Sequence, residues 1–338
     1  MRTPASLLLA ACAVACALAP AAAQAAVPSK LAYVTGLAGA HPQVHVANAD
    51  GSGAATLGSG VDAQISPDGV NVAIVTPYTR RGTALVVRPA SGGPARTLVT
   101  TIDSLGPVAW SPDGALLSVV INTRRLVVID VASGARRLVA RGSIQGASFS
   151  PDSRRIAYAR SVLPRLSAHV DVYVAGVDGS GTRRITHDGR SLWPLWGPTQ
   201  IAFTHERLRR RDAPVYQLRV MRPDGSAVRE LTHVRVPRLL SGLTATAWSA
   251  DGSRLLAEYG GQDTSEAWTV DVASGRARDL TGRFDGVIGA ALSADGSTVL
   301  VQRGYYDDPT HQSIATIPFA GGRATTLVRR GSAPSWGG

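Results

Sequence analysis

Histidine and aspartate are the side chains here with the most direct route to chemistry: histidine as a neutral metal ligand or proton carrier near pH 7, aspartate as an oxygen ligand or general base. The histidines are His41, His45, His169, His187, His205, His233 and His311. Two of them share a repeat position, since His187 and His233 each close an Ile/Leu-Thr-His triplet, 46 residues apart. A structural or catalytic metal needs three or four ligands converging on one point. His187 and His233 are the metal candidates that the sequence offers, but neither has a second ligand at a convincing spacing. No metal or other cofactor is therefore expected.

The aspartates recur more regularly. Asp68, Asp113, Asp152, Asp251 and Asp295 sit in "ISPDG", "WSPDG", "FSPDS", "WSADG" and "LSADG". Pro pre-sets the first central angle of a turn, Asp accepts local backbone hydrogen bonds and Gly takes the left-handed conformation. Five such aspartates, one per unit, belong to five separate hairpins and need never meet. "NADGSG" and "VDGSG" begin like calcium loops but lack the later acidic ligands and closing glutamate. There is no Gly-x-Ser-x-Gly elbow, phosphate loop, His-Glu-x-x-His or dinucleotide fingerprint, so no catalytic residue is assigned.

The elements that carry these residues are strands. Counting back seven and five positions from a recurring turn glycine gives Val44/Val46, Leu85/Val87, Val127/Ile129, Val172/Val174, Leu218/Val220, Trp268/Val270 and Ile314/Thr316, a period of two with one polar exception. A further short strand carries an apolar anchor at Leu57, Leu98, Leu138, Ile185, Leu231, Leu280 and Leu327, at intervals of 40 to 49 residues. Four strands per unit at that period are the signature of a β-propeller. Six units are complete. The seventh is split, with Leu31–Val34 as its second strand and "APSW", ending at Trp336, as its first. The expected fold is all-β: a seven-bladed β-propeller closed by a blade shared between the N- and C-terminal strands. Trp110, Trp196, Trp248 and Trp336 share one first-strand position and read as packing between blades. Trp268 falls on a buried third-strand register, which leaves Trp193 as the tryptophan expected on an exposed loop.

The pairing of "WSPDG" with a following "DG-x-x-x-x-x-LT" resembles the propeller of the TolB-like family with PD-type, WD-repeat-like repeats, over essentially all of Leu31 to Trp336. The resemblance implies the fold and a habit of binding a protein partner. Two departures stand beside it: no α/β domain is expected before the propeller, and the count is seven blades where TolB has six. Propeller lyases acting on acidic oligosaccharides, which use a histidine-held metal, carry a similar repeat and supply the alternative reading.

Composition sets the compartment. Arg2, the apolar stretch Leu7–Leu18 and Ala23-Gln24-Ala25 read as a secretory signal peptide over residues 1–25, leaving 26–338 as a single propeller domain. A rival reading takes Leu9-Ala10-Ala11-Cys12 as a lipobox with Cys12 lipidated. Cys12 and Cys16 both lie in the signal, so the exported chain is expected to hold no disulfide, and no later stretch is long enough to span a membrane. The formal net charge of +11 rests on arginine, with Lys30 the only lysine. Such a surface is either simply solvated or attracts acidic partners. Nucleic acid is not expected, since a lysine-rich tail and an aromatic stacking pattern are both lacking.

Strand order puts the Ser-Pro-Asp-Gly turns on one face and the irregular loops and crossings on the other, and length variation on one face of a repeat protein marks its binding surface. Three stretches there carry the expected partner contacts: "RSVLPRLSAH" with Arg160 and Arg165, "HERLRRRDAPVY" with Arg207, Arg209, Arg210, Arg211 and Tyr216, and "GYYDDPTHQ" with Tyr305, Tyr306, Asp307 and Asp308. The crossings add Trp193, Arg235 and Arg238. The sequence thus reads as an exported, periplasmic or extracellular, non-catalytic scaffold of the bacterial envelope, monomeric, that docks another exported protein. The alternative is a metal-dependent lyase or a binder of acidic glycans or other polyanions on the same face.

Overall fold

A computed structural model describes residues 29–37, 39, 41–161, 169–209, 212–237, 240–261, 265–282, 286–304 and 311–338. The expected signal peptide and Cys12 lie outside these. Among the described residues there is no helix, and the fold is all-β as expected. No helix long and apolar enough to cross a membrane is found there.

The strands follow the repeat. The chain makes β1 (Lys30–Thr35), β2 (Gln43–Asn48) and β3 (Ala55–Ser59), then β4 (Asp62–Ile65), β5 (Asn71–Val75), β6 (Thr83–Pro89) and β7 (Arg96–Thr101). Next come β8 (Leu105–Trp110), β9 (Leu116–Ile121), β10 (Arg125–Asp130) and β11 (Arg136–Arg141), then β12 (Ile144–Phe149), β13 (Arg155–Ser161), β14 (Val170–Gly176) and β15 (Arg183–Arg184). They are followed by β16 (Ser191–Trp196), β17 (Ile201–Arg209), β18 (Asp212–Met221) and β19 (Arg229–Glu230), then β20 (Leu240–Trp248), β21 (Arg254–Gly261), β22 (Ser265–Asp271) and β23 (Ala277–Asp279). The chain ends with β24 (Val287–Leu292), β25 (Thr298–Arg303), β26 (Ser313–Pro318), β27 (Thr325–Val328) and β28 (Ser332–Gly337). From β4 to β27 each successive group of four pairs antiparallel in chain order, and one parallel bridge, Tyr216 to Gly242, joins β16–β19 to β20–β23. β28 returns to the first sheet, pairing Leu31 with Trp336 and Ala32 with Ser335, to give the order β28-β1-β2-β3.

Second strands such as β5 and β9 are apolar on both sides and buried throughout, so each sheet must be covered on both faces. Neighbouring sheets supply the cover. Ala63, Ile65 and Val72 pack on Val34, Val44 and Leu57, and Leu117 and Ile129 on Leu85 and Leu98. Further along, Ile156 meets Leu126 and Val128, Phe203 and Met221 meet Val172, and Leu255 meets Leu218 and Leu231. Val299 and Ala315 then meet Leu256 and Leu280, and Leu300 and Ile314 meet Leu31 and Tyr33. Each Val, Leu, Ile, Phe or Met among these contributes about 1.5–3 kcal/mol when fully buried. The first strands also touch in series: β4 with β8, β8 with β12, β12 with β16, β16 with β20, β20 with β24, β24 with β28 and β28 with β4. Polar bonds stitch the series, with Trp110 Nε1 donating to the Gln64 carbonyl at 2.8 Å, Trp248 Nε1 to that of Leu195 at 3.1 Å, and the Ile65 amide to Ser335 Oγ at 3.2 Å.

Arginine stitches the outside. Arg96 on β7 donates to the Ala132 carbonyl at 2.7 Å, Arg183 on β15 to Asp224 at 2.9 Å, Arg229 on β19 to Val272 at 2.8 Å, and Arg278 on β23 to Ala320. In each case the outermost strand of one sheet grips the turn after the third strand of the next. Part of the basic excess is thus a fastening between sheets.

One anchor is corrected by a single register step. Leu57, Leu98, Ile185, Leu231 and Leu280 are buried, whereas Leu138 is 40% exposed and Val139 is buried in its place. A bulge between Leu126 and Val127 leaves Val139 as the unpaired residue of β11, the place that Leu57 and Leu98 hold in their own bulges. The turn aspartates behave as expected. Ser111 Oγ donates to Asp113 Oδ1 at 2.6 Å and accepts from the Leu116 amide at 2.8 Å, and the Ser249/Asp251 and Ser293/Asp295 pairs repeat this.

Two predictions follow from these contacts. A Cβ at Gly337 would overlap the Ser66 carbonyl oxygen, whereas one at Gly260 meets nothing within 4 Å. Gly337→Ala is expected to cost about 2 kcal/mol or more in urea unfolding and Gly260→Ala less than about 0.5. Equal effects would contradict the tight seat of β28. The Ser249 hydroxyl and the Ser253 amide hold the Asp251 carboxyl at about 2, and those of Ser293 and Ser297 hold Asp295 at about 2. A carboxylate lowered on folding stabilises above its ordinary pKa of 3.8, and that contribution is lost as pH falls toward 2. The D251N/D295N double variant should lose stability less steeply than the parent over that window in pH-dependent melts.

Candidate functional site

Five of the fourteen partner residues expected from sequence gather on the loop-bearing face between β16 and β20: Arg207, Arg209, Trp193, Tyr216 and Arg235. Arg160 stands at the end of β13, one sheet away. Arg165, Arg210, Arg211, Arg238, Tyr305, Tyr306, Asp307 and Asp308 lie outside the described residues.

Within "HERLRRRDAPVY", residues 205–209 and 212–216 are strand rather than loop. β17 and β18 run on past the core, pairing His205 with Gln217, Glu206 with Tyr216 and Arg207 with Val215. The extension is held by the segment 231–237, which crosses to the next sheet. Gln217 Oε1 accepts from the Val234 amide at 3.0 Å and Gln217 Nε2 donates to the Val234 carbonyl at 2.7 Å. Arg209 donates to the carbonyls of Val236 and Pro237, the latter at 3.1 Å, and Arg207 pairs with Glu230. These two arginines are therefore committed to their own fold, not presented as free cations. Arg160 is committed too, its guanidinium 4.3 Å above the Tyr173 ring, while Arg235 is exposed.

Trp193 is likewise not on a loop. It lies within β16, half-buried, at φ +44°, a conformation that bulky residues rarely adopt. Gly146 and Ala333, four residues before the corresponding turn position in their own first strands, share the left-handed backbone. The Trp193 indole packs over Gly146 and stands edge-on to Tyr216, with centroids 5.4 Å apart at 85°. Burial pushes the Tyr216 phenol up, with Glu206 adding to it.

Beside this pair lies an ionic group. Asp188 Oδ2 sits 3.3 Å from Nδ1 of the buried His205 and 3.7 Å from Arg219. Burial alone would raise the Asp188 carboxyl, but the His205 imidazole, the Arg190 amide and the Ser191 hydroxyl outweigh it and hold the group well below the usual carboxylate range. Arg219 also reaches Glu230 at 3.9 Å, and Glu230 stands 3.8 Å from His233.

The histidine triplets have a different meaning from a metal site. In Ile185-Thr186-His187 and Leu231-Thr232-His233 the threonine is buried and the histidine exposed. Thr186 Oγ1 donates to Asp171 Oδ1 at 2.9 Å and accepts from the Val172 amide; Thr232 Oγ1 donates to Gln217 Oε1 at 3.0 Å and accepts from the Leu218 amide. Asp171 is fully buried and also takes Arg184 at 2.5 Å and the Gly189 amide at 3.2 Å. Sequence reasoning missed Asp171 and Gln217, although a polar residue one position before the period-two pair of both third strands, Val172/Val174 and Leu218/Val220, was the signal. Among the described residues no three of His, Cys, Asp or Glu come together to hold a metal.

No protein-family model matches the chain, and no curated protein matches it in sequence. Solved structures do. The TolB of Acinetobacter baumannii is similar at 17% identity with a TM-score of 0.55, over 91% of this chain, which spans 66% of that protein's length. An oligogalacturonate lyase in complex with manganese is similar at 15% and 0.60, over 90% of this chain and 86% of that one. The β-propeller domain of the Trilobed protease from Pyrococcus furiosus, with an open velcro topology, is similar at 13% and 0.67, over 90% and 93%. At such identities the likeness shows the fold alone, and that fold is a TolB-like β-propeller.

Thr232→Val is expected to lower stability by about 1–3 kcal/mol, because it strands the Leu218 amide and a Gln217 lone pair, and His233→Ala by less than about 0.5. Denaturant unfolding of the two variants checks this, and a larger loss from His233→Ala would reverse the assignment.

Proposed function

We propose that the chain is a seven-bladed propeller, closed where β28 pairs with β1, that serves as a non-catalytic docking scaffold for another exported protein in the bacterial envelope. The closed series of first-strand contacts and the sheet order β28-β1-β2-β3 support the ring. The docking reading rests on the relief and chemistry of the loop-bearing face. There the β17–β18 hairpin, which contains the longest of the described strands, carries Leu208 near its tip at 62% exposure. On the same face Tyr78 and Ile102 are 65% and 75% exposed and tied together by a 2.7 Å bond from the Tyr78 hydroxyl to the Ile102 carbonyl. Apolar side chains projecting from a rigid polar frame are what a protein partner can bury. Arg207 and Arg209 hold the hairpin upright, and Arg210 and Arg211 are assigned the contact itself.

The second reading, a metal-dependent lyase or binder of acidic oligosaccharides, draws on the fold likeness to the manganese-bound lyase. The histidines assigned to it are exposed and belong to separate sheets. Purified protein is expected to carry no stoichiometric divalent metal by elemental analysis; one equivalent of manganese retained through dialysis would favour the lyase instead.

The docking reading is tested by a photocrosslinking amino acid at Leu208, which should give one discrete adduct in cells. The same probe at Ser133 on the opposite face should give none, and replacing Arg210 and Arg211 by serine should abolish the adduct. Equal adducts from both faces, or none from Leu208, would overturn it.

A further inference from the structure

A cavity of about 430 Å³ opens between the first strands β4, β8, β24 and β28, away from the ionic group and the hairpin. Its wall combines Trp110 and Trp336 with Gln64, Gln302 and Ser335 on a background of small apolar residues, and no charged side chain lines it. Gln302 is 94% buried by its 6% exposure, and its Oε1 is used up by the Ala333 amide at 2.7 Å. Among the described residues nothing accepts from its Nε2, so the carboxamide keeps a donor open to the cavity. Gln64 is the complement. Half-buried, it donates from its Nε2 to Asp62 at 3.0 Å and keeps its Oε1 as an acceptor open to the cavity. The Trp336 indole N–H adds a third: its repeat equivalents in Trp110 and Trp248 donate to the preceding first strand, whereas its own, like that of Trp196, does not, and is buried without a partner.

A buried donor without a partner is costly and marks a place where something is received, and the Trp336 N–H is one, with the two carboxamides open beside it. An ionised ligand is disfavoured, because the cavity holds no countercharge to offset its desolvation. Alternating donors, acceptors and a hydroxyl between indole walls match a molecule whose every polar group both donates and accepts. We propose that this cavity is a binding site for an uncharged sugar of mono- or disaccharide size, independent of the docking face. Its walls come from both ends of the chain, 64–65 and 108–110 on one side and 288–302 and 333–336 on the other, so an occupant would also brace the closure of β28 on β1.

The test titrates D-glucose, D-galactose, N-acetyl-D-glucosamine, maltose and D-galacturonate against the full exported chain by calorimetry and thermal melts. At least one neutral sugar is expected to bind saturably below about 100 mM and to raise the melting midpoint. Gln302→Leu should weaken that binding about tenfold or more. Gln302→Leu also strands the Ala333 amide, so a second variant guards against misfolding: Ala109→Leu fills the cavity without touching these bonds and should abolish binding while the fold is retained. The proposal fails if no neutral sugar binds, if galacturonate binds more tightly than every neutral sugar, if the midpoint rises without saturating, as an excluded solute would cause, or if both variants bind like the parent.

Discussion

A four-stranded sheet with two apolar faces cannot stand by itself, and that constraint governs the whole molecule. β5, β9, β13 and β25 are buried along almost their entire length, so every sheet needs a neighbour on each side. The first sheet is completed by the chain's own tail, with Trp336 opposite Leu31 and Ser335 Oγ receiving the Ile65 amide from the next sheet along. The same pairing covers the β1 edge, which would otherwise offer free backbone groups to another chain.

Within that frame, several side chains that look reactive in sequence turn out to be fasteners. The turn aspartates accept from serine hydroxyls and backbone amides. Thr186 and Thr232 close the third strand of their sheets against Asp171 and Gln217, and the exposed histidines beside them play no part in it. Arg96, Arg183, Arg229 and Arg278 cross from one sheet to the turn of the next. A guanidinium suits this work because it keeps its charge, forks its donors and reaches a carbonyl across an exposed seam. The excess of arginine over lysine thus has a mechanical reading alongside any attraction to acidic partners.

What remains for function is the departure from the repeat. The turn-bearing face is uniform because Ser-Pro-Asp-Gly hairpins admit little variation. The other face is not: β17 and β18 overrun their neighbours, Tyr216 bridges to Gly242 of the next sheet, and Trp193 holds a left-handed backbone to stand against Tyr216. Backbone strain of this kind costs about 1–3 kcal/mol and persists only where the surroundings impose it. The cavity among β4, β8, β24 and β28 is a second departure, lined by the Trp336 indole whose N–H is buried without a partner.

The amino-acid sequence by itself determined the all-β class, the strand alternation and the pairing of the tail with β1, because each depends on a local period or a turn that recurs: Val44/Val46 and their counterparts could be placed without knowing what they touch. Tertiary structure decided the rest. It moved the β11 anchor from Leu138 to Val139, because a bulge shifts register without altering composition, and it turned residues 205–209 and 212–216 from loop to strand, because the partner that stabilises them, Gln217 bonded to Val234, comes from a segment outside the local pattern. It also decided that Trp193 meets Tyr216 and that Gln302 keeps a donor open to the cavity. Such facts depend on which sheets are neighbours and on how closely they pack, and a period read along one strand carries no information about the space between two.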